Sequence, residues 1–144
     1  MPKLRAMLVR SLLIIFAVAM FAGCQQMAQP FIESGNAKTT EKNYEQAVAD
    51  FSRAIKIDPG SAQAYTGRGR VYNIQKQYDL ALTDLNKSIE LDPNLATAYY
   101  YRGLCHKALG QKDKAIADFQ SAANFSEDDS LAVLIANELT GLRQ

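Results

Sequence analysis

From residue 28 onward, small and apolar side chains recur at helical spacing, in runs broken by polar turns. Tyr65, Gly69 and Tyr72 stand at i, i+4 and i+7, and so do Ala81, Leu85 and Ser88. At about 100° per residue each set forms one stripe along a helix. Ala47, Phe51 and Ala54 repeat the second set, as do Ala115, Phe119 and Ala122. Asp58-Pro59 and Asp92-Pro93 break the runs, because the residue before a proline is pushed out of the helical region. Gly110 is a good helix C-cap. The pattern predicts helices over about Pro30–Glu41, Tyr44–Ile57, Ala62–Gln75, Tyr78–Leu91, Ala96–Leu109 and Lys112–Phe125. The first is the weakest, since Ser34, Asn36, Thr39 and Thr40 are poor helix formers. Pro30 suits its first turn, where a missing N–H costs nothing. Ser126 with an acid three residues on marks a seventh start. In the segment that follows, Leu131, Val133, Leu134, Ile135 and Leu139 cover more than one helical face. Core packing alone is the first reading; burial of a second side, in a groove or a dimer, is the alternative.

The stripes repeat every 34 residues. Tyr65 aligns with Phe31 and Tyr99, Gly69 with Gly35 and Gly103, and Leu85 with Phe51 and Phe119. A fixed period of this size means stacked supersecondary units, none of which buries its apolar face alone. Small residues on both stripes let two backbones approach closely. On that ground Gly69→Leu should overpack the contact, while Gly69→Ala should be close to neutral.

These residues, with Pro59 and Pro93 closing the units, resemble the tetratricopeptide-repeat (TPR) family. The resemblance implies an all-α, right-handed α-solenoid of three TPR helix pairs plus a C-terminal capping helix. The repeats are 28–61, 62–95 and 96–129, and the cap is 130–144. Repeat 3 departs where Glu127 replaces the expected proline. In such arrays the first helix of each pair lines a concave groove. By helical phase the matching residues here are Gln29, Ile32, Asn36 and Thr39, then Gln63, Thr66, Arg70 and Asn73, then Thr97, Tyr100, Leu104 and Lys107. Asn side chains can pair with peptide amides, and Tyr supplies rigid contact area. Asn36, Thr66, Arg70, Asn73, Tyr100, Leu104 and Lys107 are therefore the candidate partner-binding groove, with Arg70 and Tyr100 expected off the core stripe. Some family members clamp the C-terminal carboxylate of chaperones at positions that here hold Ile32, Asn36, Gly67, Thr97 and Tyr101. Only Asn36 matches, so that recognition is not expected.

Charge and composition change the picture at the N-terminus. Lys3, Arg5 and Arg10 precede an uncharged apolar run from Leu12 to Ala22. That run is short for a membrane span of roughly 20 residues and suits the middle of a secretory signal. Phe21-Ala22-Gly23-Cys24 resembles the lipobox of bacterial lipoproteins, with Phe21 where Leu is usual. The resemblance implies a signal peptide over 1–23 that is removed and lipid on Cys24. It also implies a membrane anchor at the bacterial envelope, with Gln25 directing the protein to the outer membrane facing the periplasm. Residues 24–29 would form a short tether, about 15–20 Å when extended. Without residues 1–23 the chain carries 13 Lys+Arg against 15 Asp+Glu. A basic field for nucleic acid is absent.

Candidate chemistry is sparse. With Cys24 lipidated, Cys105 has no disulfide partner. His106 beside it points about 100° away, so the two form no local nucleophile–base pair. No metal cluster, phosphate loop or catalytic triad can be assembled, and neither an enzyme nor a cofactor is expected. Arg68 and Arg102 precede their repeat glycines, and Asp50, Asp84 and Asp118 recur on the facing helices. A structural ion pair within a repeat, or to the repeat before, is the expectation. The chain thus reads as a non-enzymatic module binding a protein or peptide partner as adaptor or assembly factor. Small TPR lipoproteins of that kind include pilotins for pilus secretins and scaffolds for peptidoglycan-remodelling enzymes. The alternative is a structural subunit that forms a homo-oligomer or stacks on other envelope proteins through its capping helix.

Overall fold

A computed structural model describes residues 23–143 of the chain, so most of the expected signal peptide lies outside the described residues. Among the described residues seven helices follow one another: α1 over 23–40, α2 Tyr44–Ile57, α3 Ala62–Ile74, α4 Tyr78–Leu91, α5 Ala96–Ala108, α6 Lys112–Phe125 and α7 Asp129–Arg143. The described residues form no strand. The first six make three antiparallel pairs, α1/α2, α3/α4 and α5/α6, stacked in sequence order, and α7 packs on the last pair. The architecture is the expected all-α solenoid with its cap.

The core runs along the stack. Phe51, Leu85 and Phe119 are fully buried, one from the second helix of each pair. A glycine faces each of them from the first helix. A Cβ on Gly35 would stand 2.9 Å from Phe51 Cζ, and one on Gly103 would stand 2.8 Å from Phe119 Cε1. On Gly69 it would meet Leu85 Cγ at 2.8 Å and the Ala81 carbonyl oxygen at 3.3 Å. Real Cβ atoms essentially never come that close, so even alanine overpacks Gly69. The expectation of a near-neutral alanine there is corrected. Gly67, which no stripe singled out, lies against the Phe51 ring of the preceding repeat.

Ion pairs tie each pair together. Arg68 Nε and Nη2 donate to the two Asp84 oxygens at 2.7 and 2.8 Å, while Nη1 reaches back to Ser52 Oγ at 3.0 Å. Arg102 repeats the arrangement on Asp118, at 2.9 and 2.7 Å, and on Asn86 at 2.8 Å. The arginine therefore bonds the aspartate of its own repeat and a neutral side chain of the one before. Repeat 1 substitutes Ser34, which donates to Asp50 at 2.7 Å, and Lys38. The Asp84 hydrogen bonds hold the Arg68 pKa above its usual value, against the opposing effect of burial.

The turns inside the repeats share one backbone device. Lys42 and Lys76 have φ of 61°, and Gly110 has 71°. At each, the next N–H bonds the carbonyl five residues back, as in Gln77 to Tyr72 at 2.8 Å. This closes the helix in the left-handed manner of a Schellman cap.

Three expectations at the termini change. The chain over residues 24–29 is helical, not extended, and Pro30 lies inside α1 rather than in its first turn. Ala28 is 1% exposed and Ile32 is 7% exposed, both in the first core cluster. Their burial favours helix upstream of the proline, which leaves only one carbonyl without its donor. At α7 the cap is Asp128, whose Oδ1 accepts from Ser130 N at 2.7 Å, and not Ser126.

Candidate functional site

The first helices of the pairs, α1, α3 and α5, lie side by side and form one concave face. Two cavities open along it. One, of about 310 Å³, is lined by Gln29, Ile32 and Asn36 of α1, by Gln63, Thr66, Gly67 and Arg70 of α3, and by Thr97 and Tyr101 of α5. The next, of about 270 Å³, is lined by Thr39, Thr40, Arg70, Asn73, Ile74, Tyr101 and Leu104. Arg70 and Tyr101 belong to both. Arg70 Nη2 donates to Asn36 Oδ1 at 3.1 Å, and its guanidinium carbon lies 5.9 Å from the Tyr101 ring centroid. Neither lining contains an acidic residue. A larger depression of about 510 Å³ lies toward the inter-repeat loops, between Gln25 and Gln29 of α1 and the Asp58 and Asp92 turns.

A family model described as TPR repeat matches residues 35–73 and 69–110, and a second, described as Tetratricopeptide repeat, matches 96–129. The chain belongs to the tetratricopeptide-repeat family. Solved TPR domains share its architecture. The first TPR of Spaghetti (RPAP3), bound to the HSP90 peptide SRMEEVD, is 25% identical with a TM-score of 0.75. That match covers 83% of this chain and 93% of the other. The second TPR domain of human RPAP3, in complex with the HSP70 peptide SGPTIEEVD, is 26% identical with a TM-score of 0.72, over 84% and 98% of the two chains. The Yersinia enterocolitica type III secretion translocator chaperone SycD shares the fold at 16% identity, with a TM-score of 0.73 over 80% and 82%. No curated protein matches the chain.

In this TPR array the residues expected in the groove divide. Asn36, Thr66, Arg70, Asn73 and Leu104 do line the two cavities. Thr66 is only 6% exposed and its hydroxyl is engaged by Ser88 at 2.7 Å, so it forms floor. Tyr100 is a correction. It is 9% exposed and packs with Phe119 and Ile135 in the core of repeat 3. Burial raises its pKa first, with Glu138 and Tyr101 adding to the rise. Lys107 is held by Glu138 of α7 at 2.6 Å. Both changes have one cause: α7 packs where a further first helix would lie and takes up the outer face of α5.

Helical phase overlooked four lining residues, Thr40, Gly67, Ile74 and Tyr101, and of these Tyr101 alone belongs to both cavities. The run Tyr99-Tyr100-Tyr101 held the signal, since three consecutive rings fall about 100° apart and cannot all face one core. Cys105 is fully buried against Ala81 and Leu85, and burial pushes its thiol up to about 12, with Asp118 contributing. It is inert as a nucleophile at neutral pH. His106 Nδ1 pairs with Gln111 Oε1 at 2.7 Å. Among the described residues no group of His, Cys, Asp and Glu could hold a metal ion, and no helix is long and apolar enough to cross a membrane.

Proposed function

We propose that this TPR protein is a non-enzymatic interaction module of the bacterial envelope, an adaptor or assembly factor that holds a peptide or protein segment in the groove across α1, α3 and α5. The observation that supports it best is the pair of adjoining cavities on that face, rich in amide and hydroxyl groups able to bond an extended backbone. TPR domains about one quarter identical carry peptides in their solved structures. The anchor in this reading is lipid on Cys24, at the outer membrane and facing the periplasm. Cys24 is half-buried at the start of the described part of α1. A lipid there would join a rigid helix, with roughly 9 Å of helical rise in place of a flexible tether.

Mass spectrometry of the membrane-borne protein tests the anchor. The expected mature chain begins at lipid-bearing Cys24, and Cys24→Ser accumulates precursor. A mature N-terminus elsewhere with no lipid mass overturns it. Affinity capture from membranes tests the groove. Arg70→Ala with Asn73→Ala should weaken capture of the native partner about tenfold or more while folding is kept. Undiminished capture moves the site elsewhere. A second reading, self-association through the cap, is favoured by Val133 and Leu134, which are 60% and 49% exposed on α7. It requires a concentration-dependent oligomer that Leu134→Glu dissolves.

A further inference from the structure

Three arginines, Arg68 and Arg70 of α3 and Arg102 of α5, extend across the stack, and they are not treated alike. Arg68 and Arg102 each grip an aspartate with two hydrogen bonds. Arg70, also half-buried, has no carboxylate. Its hydrogen-bond partner is the neutral Asn36 Oδ1, and its other neighbour is the face of Tyr101. Its Nε is sealed from water without a partner, the one buried side-chain nitrogen or oxygen so left among the described residues. A partly desolvated cation with an unmet donor is unfavourable for the free protein. An anion set by a ligand beside the exposed Nη edge of the guanidinium relieves the cost of the unpaired charge, and neither lining holds an acidic residue to repel it.

We propose that the groove is built for an extended segment that carries an acidic side chain near its middle, and that Arg70 anchors that carboxylate. This rests on the groove reading above and names the partner's chemistry. The carboxylate is a side chain and not a chain terminus because Arg70 is a wall shared by two cavities, of about 310 and 270 Å³. A segment filling both passes over the guanidinium midway, whereas one ending there leaves a cavity empty. The second cavity adds a neighbour preference. Ile74 and Leu104 give it an aliphatic wall beyond the Tyr101 ring, so the residue beside the acid on that side is aliphatic.

A consequence needs no ligand at all. A residue retained for binding is not required by the fold. In the full chain held in nanodiscs, Arg70→Leu should keep or raise the melting temperature, while Arg68→Leu lowers it by several degrees. An equal fall for both makes Arg70 structural and overturns the proposal. The binding arm uses random dodecapeptides displayed on phage, selected on the same full chain. The expected sequences share an internal Asp or Glu beside Leu, Ile, Val or Met. Their synthetic C-terminally amidated forms should lose tenfold or more in affinity when the acid becomes Asn or Gln. That loss should disappear on Arg70→Gln. Acid-free sequences, or a loss that persists on Arg70→Gln, overturn the assignment. So does binding that requires a free C-terminal carboxylate. Failure to select any sequence sinks the groove reading itself, and this inference with it.

Discussion

Gly69 shows how little room a residue position can hold. Helix propensity alone favours alanine there by about 1 kcal/mol. The space does not, since the added Cβ meets Leu85 Cγ and the backbone oxygen of Ala81. Overpacking a well-filled contact costs about 1–3 kcal/mol, and α3 and α4 must part to relieve a clash with backbone. Gly69→Ala should therefore destabilise the protein, and Gly69→Leu should do so more strongly. Urea unfolding measures both. A stability for Gly69→Ala equal to wild type would mean that the helices separate freely. Lys76 is the opposite case, a bulky side chain at φ of 61°, where glycine would carry no steric penalty.

Between elements, the repeated acid on the second helix is the common feature. Asp50 of α2 meets Ser34 and Lys38 of α1, and Arg53 of its own helix. Burial pushes its carboxyl up, but the Lys38 and Ser34 hydrogen bonds and the Lys38 and Arg53 charges outweigh it, so its pKa lies below the usual value. A carboxyl with a depressed folded pKa contributes stability that is fully present above the unfolded value of about 4 and is lost as pH falls through the folded one. Asp50→Asn leaves Lys38 unpaired and should cost about 1–3 kcal/mol at pH 7. The deficit should narrow as the pH falls below about 4. Denaturant titrations at pH 7 and pH 3 make the comparison, and an unchanged gap would remove Asp50 from the acid response.

For the whole molecule, the last repeat depends on its cap. A solenoid must end somewhere, and the final pair would otherwise expose an apolar face. Ile135 of α7 is 1% exposed and seals the cluster of Tyr100, Ala115, Phe119 and Ala122, with Leu131 and Leu139 beside it. Ile135→Ala should cost about 2–5 kcal/mol. Hydrogen exchange should show α5, α6 and α7 opening more readily than α3 and α4. Uniform loss of protection along the stack would make the array a single cooperative unit. The cap also ends the groove, because it binds Lys107 and covers Tyr100.

The 34-residue period, the stripes and the Asp-Pro breaks were legible in the sequence, and with them the number of helices and the family. Local periodicity decides which face of a helix is apolar, so Phe51, Leu85 and Phe119 could be placed in the core from spacing alone. The direction of the Arg–Asp pairing could not, because own and preceding repeats are equally compatible with phase. Nor could the groove be fully drawn. Helical phase gives the side of one helix, whereas burial depends on what the next helix brings to it. Hence Tyr100 went to the core under α7, Lys107 to Glu138, and Tyr101 emerged beside Arg70 between two cavities. Likewise Pro30 marked a helix start by local rule, and the burial of Ala28 and Ile32 carried the helix past it. The sequence by itself determined the repeat and its core; contacts between repeats, which no single period encodes, decided which polar side chains remain on the concave face to meet a partner.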